Sequence, residues 1–254
     1  MRIPRDAGLD KLDVLVIYLD GLQFGAHHVV AGIGVDGKGR KHVLGLASGS
    51  SENATVVRGL LHEVVERGLE VRQRYLFVID GSKALRQAID EVFGAQQEVQ
   101  RCRKHKIRNV MDYLPDEMKG QVKSVMRAAF RLDGNEGIGK LKKQAEWLEK
   151  EYPSAATSLL EGLEEMFTVN RLDLPGSLRR CLCTTNVIEN PQSGVRRRTG
   201  RVSRWRDGQM VLRWAAASYL DTEKRFRRIM GYEHLWVLAS ALGRNRVAEQ
   251  AKVG

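Results

Sequence analysis

The chain has 254 residues, 43% of them hydrophobic and 29% charged, and a net charge of +11. That is enough apolar material for one large domain or two small ones, and too much for a disordered chain. No run reaches the ~18 apolar residues of a membrane span, no secretory apolar stretch follows Met1, and three cysteines cannot form a fully paired disulfide framework. A reduced, cytoplasmic protein with no membrane association is expected, and its basic balance points to a polyanionic partner, most simply nucleic acid.

Taken in order, Asp13–Asp20 (DVLVIYLD) is a β-branched and aromatic run that ends at Asp-Gly, the signature of a buried strand. His28–Val35 forms a second strand, Asp36-Gly37-Lys38-Gly39 a turn, and His42–Ala47 a third strand, so the chain opens as an antiparallel meander. Ser51–Thr55 leads into a helix to about Arg67, with apolar residues at three- and four-residue spacing, and Gly68 stops it. Tyr75–Ile79 is a fully apolar strand. Ser82 caps a helix over 83–92, and Val99-Gln100 centres a short fifth strand. From Lys104 to Leu178 the strand signal gives way to helices over 121–132, 138–151 and 155–167, and a final helical region follows Arg180. This order predicts an α/β fold: a mixed five-stranded sheet flanked by helices in the ribonuclease H-like arrangement, with an all-helical insertion before the last helix. The expected division is a first core part at 1–103, an insertion at 104–180 and a C-terminal helical part at 181–254.

Asp20 and Asp80 each close an apolar run and precede a glycine, so each can project a carboxylate into a shared cleft. Each is equally readable as a turn former or helix cap. Glu189, in Thr184-Thr185-Asn186-Val187-Ile188-Glu189-Asn190, is the lone acid among eight arginines: Arg179, Arg180, Arg196, Arg197, Arg198, Arg201, Arg204 and Arg206. It reads either as a third carboxylate or as a neutralising partner for those arginines. A guanidinium grips phosphate bidentately, so the cluster is a candidate DNA contact, the alternative being a solvated basic face. Three converging carboxylates repel one another unless divalent cations hold them. Mg²⁺ favours oxygen ligands, and a metal pair ~3.5–4 Å apart can drive in-line displacement at phosphorus.

The motifs LDG (19–21), IDG (79–81), CRKH (102–105), TTNVIEN (184–190) and RRRTGRVSRWRDGQMVLRWAA (196–216) together resemble the Mutator-type transposases of bacterial insertion sequences. The resemblance runs from about Val14 to Leu242. It implies a ribonuclease H-like DDE transposase with Asp20, Asp80 and Glu189 as catalytic and metal-binding triad and Mg²⁺ or Mn²⁺ as cofactor. It implies strand cleavage at element ends, strand transfer to target DNA, and a homo-oligomer working on DNA in the nucleoid. It also places Cys102 and His105 near the active site. Two departures stand out. Only about a dozen residues precede the first strand, so the chain reads as N-terminally truncated, without the region that recognises inverted repeats in this family. Pro191 sits two residues after Glu189 and puts the start of the last helix near Glu189, or else a distortion at the site. The alternatives are an inactive remnant that binds only DNA or a full-length transposase, and a structure-selective nuclease of the same fold.

Cys102, His105, Cys181 and Cys183 offer four soft zinc ligands, though with unusual spacing. Trp147, Trp205 and Trp214 are expected to pack in the interior, with base stacking as the other use of Trp147. His27 and His28 begin a strand and do no chemistry.

Overall fold

A computed structural model describes residues 8–49 and 53–244. Residues 51–52 of the expected helix entry, and the outermost ends of the first and last expected segments, lie outside them. β1 (Val14–Phe24), β2 (His27–Asp36) and β3 (Lys41–Gly49) form the antiparallel meander. Helix α1 (Ala54–Glu66) crosses to β4 (Leu76–Ile79), and α2 (Lys83–Phe93) crosses to β5 (Glu98–Arg101). The sheet order is β3-β2-β1-β4-β5, with β1, β4 and β5 parallel. Both crossovers are capped as their residues dictate. Asn53 and Ser82 accept backbone hydrogen bonds at the two helix starts, and Gly68, at φ +105°, ends the first helix where a side chain would be strained.

Alternation along β1 sends its residues to two cores. Ile17 and Leu19 pack with α1 and α2, whereas Tyr18 and Leu22 face the C-terminal helices. Those helices are α8 (Gly176–Leu182), α9 (Asn186–Thr199), α10 (Gly208–Glu223) and α11 (Leu235–Ala241), preceded by α7 (Thr168–Arg171). The result is a mixed α/β sandwich with a five-stranded sheet covered on both faces, as in ribonuclease H-like proteins. Between β5 and α7, α3 (Arg103–Met111), α4 (Asp116–Ala129), α5 (Gly134–Glu149) and α6 (Pro153–Leu160) close around a separate apolar cluster. Arg103 joins this unit to the sheet. Its guanidinium lies between the Phe130 and Phe167 rings, 4.8 and 5.4 Å from their centres, and donates to the carbonyls of Met166 and Phe130 and to Asn170 Oδ1. Among the described residues no helix is long and apolar enough to cross a membrane.

Several expected boundaries move. The first strand does not stop at Asp20: Gly21 and Leu22 continue the ladder opposite Val30 and Val29, because the hairpin turns only at Gly25, φ +58°. The helices expected at 121–132 and 138–151 begin about four residues earlier, at Asp116 after Pro115 and at Gly134 after the Asp133 cap. The expected 155–167 helix breaks at Gly162, φ +62°, where Arg101 leaves no room for a side chain. As expected, α9 begins near Glu189: it starts at Asn186 with Glu189 in its first turn, and Pro191 lies inside it. The expected boundary at 180 falls inside α8.

Candidate active site

Strand register brings the two aspartates together. Leu19 pairs with Ile79 across parallel neighbours, so Asp20 and Asp80 are the next residues on backbones ~4.8 Å apart. Cys102 follows in the same row, its N–H donating to Ile79 O at 2.7 Å. Asp20, 7% exposed, shares the Tyr18 and Leu22 face and points to the α9 side of the sheet. Asp80 begins the turn into α2 and accepts from Ser82 N at 2.8 Å. Gly81, at φ +112°, makes that turn possible.

Glu189 approaches from the first turn of α9. It accepts from Lys104 Nζ at 2.7 Å and from Thr185 Oγ1 at 3.0 Å. The same threonine donates to Cys102 Sγ at 3.4 Å through its backbone N–H, and its hydroxyl oxygen lies 3.4 Å from both Cys102 Sγ and His105 Nδ1. Lys104, Thr185, Cys102 and His105 thus tie the third acid to the end of β5.

The electrostatics are those of one crowded anionic pocket. Burial, then the charge of Asp80, pushes the Asp20 carboxyl up to about 7; Glu189 adds to the rise, while Gln192 and His105 oppose it. Burial would also raise Glu189, but Lys104 and Thr185 outweigh it and hold Glu189 below its usual value. Hydrogen bonding to Cys102 holds His105 above its usual value against burial, helped by Asp20 and Asp80. The Cys102 thiol is correspondingly lowered: burial is overcome by His105 and Thr185.

The Asp20 carboxyl therefore feels the charges of Asp80 and Glu189 at the same end of the sheet. Among the described residues, however, no three His, Cys, Asp or Glu side chains are already drawn together as a metal-binding set. The Lys104 ammonium occupies one oxygen of Glu189. Cys102, His105, Cys181 and Cys183 are likewise not drawn together as a metal-binding set among the described residues.

The arginines divide. Arg198 is bound to Asp221 and Gly194 O, and Arg206 to Asp207. Arg179, Arg180, Arg196, Arg197, Arg201 and Arg204 form no ion pair among the described residues, and Arg196 and Arg197 stand exposed in the last turn of α9. Only Trp205 packs as expected, edge-on to Phe24 at 5.3 Å. Trp147 and Trp214 are 50% and 45% exposed, because each occupies the outer face of its helix. His27 and His28 open β2 as expected. Sequence reading missed Gln192 and Tyr219, both buried beside Asp20. The available signal was helical spacing, which places Gln192 three residues after Glu189 on one face of α9.

A family model described as "Transposase, Mutator family" matches residues 11–228. The chain is 28% identical over 208 residues to a transposase for insertion sequence element ISRM5 of Rhizobium meliloti, covering 80% of this chain and 50% of that protein. It is 28% identical over 170 residues to one for element IST2 of Acidithiobacillus ferrooxidans, covering 66% and 56%. It is 30% identical over 199 residues to one for element IS406 of Burkholderia multivorans, covering 77% and 50%. The chain thus spans about half the length of these relatives.

Proposed function

Because the chain belongs to the Mutator family of transposases, we propose that it carries out the DNA cleavage and joining steps of insertion-sequence transposition, with Asp20, Asp80 and Glu189 as the reacting centre. The observation that carries this reading is the placement of the three acids. Two stand in register on adjacent parallel strands, Asp20 within β1 and Asp80 just past β4, and the third arrives on α9 from more than 100 residues away, within electrostatic reach of Asp20.

The donor set fits Mg²⁺ or Mn²⁺. It offers only hard oxygen ligands, and its most buried member lacks a cationic partner. When bound, such an ion supplies a nucleophilic oxygen at neutral pH and neutralises charge at the leaving oxygen. The remaining work falls to the chain. Asp20 and Asp80 form the fixed part of the site, because β1 and β4 hold their backbones. Glu189 is the adjustable part, and joining the aspartates requires it to release Lys104. Lys104 is then available to a DNA phosphate. Arg196, Arg197, Arg201 and Arg204 hold the backbone on either side of the reacting phosphate, which positions the strand without reading its sequence. His105, held above its usual value by hydrogen bonding to Cys102 and by the charges of Asp20 and Asp80, flanks the aspartates. The partners are element ends and target DNA, met by an oligomer of this chain in the cytoplasm.

The test is cleavage of DNA carrying insertion-sequence ends, with Mg²⁺ or Mn²⁺ in the buffer. Asp80→Asn is expected to abolish cleavage and leave DNA binding intact, since it alters the acidic centre and spares every arginine. Full cleavage by purified Asp80→Asn would remove Asp80 from the reacting centre. Cleavage without joining of 3′-ends would favour a nuclease over a transposase.

A further inference from the structure

Gln192 lies one turn beyond Glu189 on α9 and is 1% exposed, yet its Nε2 has no partner at ordinary hydrogen-bond distance among the described residues. Tyr219, on α10, is fully buried and its hydroxyl is likewise unpartnered. Both side chains border Asp20: Gln192 acts on the Asp20 carboxyl and on the Tyr219 hydroxyl alike. Around them the layer between sheet and helices is apolar, built from Ile188, Val195, Val211 and Ala215. Buried polar groups are nearly always paired. Here an amide donor without an acceptor sits beside a buried carboxylate, which has only acceptors to offer.

We propose that Gln192 is a positioning residue for Asp20: Nε2 donates to one carboxylate oxygen and leaves the other turned toward the metal, while the Tyr219 hydroxyl steadies the amide from its far side. This rests on the metal-holding role proposed for Asp20. The helix explains why one residue suffices. Glu189 and Gln192 are three residues apart, ~4.5 Å along the axis and on the same face, so the rigid body that carries the third acid also sets the orientation of the first. A carboxylate free to rotate on a strand offers a cation several geometries. A carboxylate with one oxygen fixed offers one.

The test measures Mn²⁺ binding to the full chain by electron paramagnetic resonance, alongside melting temperature, for the unmodified protein, Gln192→Met, Tyr219→Phe and Asp20→Asn. Methionine keeps the shape of glutamine without its donor, so a residue that merely fills space is replaced without loss. Gln192→Met is expected to melt no lower than the unmodified protein and to bind Mn²⁺ about tenfold more weakly, the lower end of the range for outer partners of metal ligands. A Kd within about twofold of the unmodified value in that folded variant overturns the proposal. If Gln192→Met does not fold, Tyr219→Phe decides: a Kd raised about threefold or more supports the chain from Tyr219 to Asp20, and an unchanged Kd overturns it. Asp20→Asn separates the two readings. If it binds Mn²⁺ as the unmodified protein does, the metal-holding role falls. If it alone loses binding, only the positioning role falls.

Discussion

The arginine stretch yields a sharp quantitative expectation, because the structure separates its members. Each phosphate neutralised on duplex DNA contributes about −0.9 to the slope of log K against log[salt]. Six of the eight arginines form no ion pair among the described residues, which puts the ceiling for this stretch at a slope of roughly −5. Arg196 and Arg197 are two of the six, so replacing both by alanine is expected to flatten the slope by ~1.8. Arg198 is tied to Asp221 on α10. Its replacement by alanine is expected to leave the slope unchanged and to cost roughly 0.5–1 kcal/mol of stability, as befits a partly exposed pair. The assay is fluorescence anisotropy of a labelled duplex titrated at several salt concentrations. If Arg198→Ala flattens the slope by ~0.9, or if the Arg196/Arg197 double variant leaves it unchanged, the division between free and engaged arginines is wrong.

Other perturbations follow from buried groups. Arg103→Ala leaves the Phe130 carbonyl and Asn170 Oδ1 without the Arg103 donor and the Met166 carbonyl with Gln100 alone, between two aromatic rings, and is expected to cost ~3–5 kcal/mol in urea unfolding; a loss under ~1 kcal/mol would refute its bridging role. Asp36 is pushed up by burial but held below the ordinary aspartate value of about 3.8 by His42, Arg40 and Lys38. Its stabilisation is therefore present above that value and lost as pH falls through its lower folded pKa. The melting-temperature gap between the protein and Asp36→Asn is expected to be constant above about pH 5 and to close only in stronger acid. A gap that closes near neutrality would assign the effect to His42 instead.

The strands and the first two helices were legible because their signals are local. β-branched runs, Gly-bearing turns and the Ser82 cap each act within a few residues. The end of β1 was not, since Asp-Gly reads as a stop, yet pairing with β2 carries the strand four residues further. Gly134 and Gly137 obscured the start of α5. Gly137 is there because Phe167 and the Ala129 carbonyl stand where its Cβ would go, a packing demand from other elements. Pro191 suggested a helix start near Glu189, where α9 does begin, but its ring is buried in the core and the helix runs through it, at the cost of one backbone bond. At the site, Asp20, Asp80 and Glu189 could be named from motifs, and register explains the first two. The Lys104–Glu189 pair, 85 residues apart, and the Gln192–Tyr219 pair beside Asp20 depend on how α9 and α10 lie across the sheet. No local pattern encodes that.

The two-faced sheet also sets an order of events during synthesis. The α1 and α2 face can close as soon as the first hundred residues have emerged, since every residue of its core lies before 100. The opposite face, with Tyr18, Leu22, Val29 and Ile33, waits for helices that begin at Gly176. At roughly 5–20 residues per second, about 75 residues separate the two stages, a gap of several seconds or more. Through that interval an apolar sheet surface lies open on the ribosome, and Asp20 remains in water. Its transfer out of water, the costliest electrostatic step in forming the pocket, is deferred to the docking of α9 and α10, so the acidic pocket is among the last parts of the molecule to form.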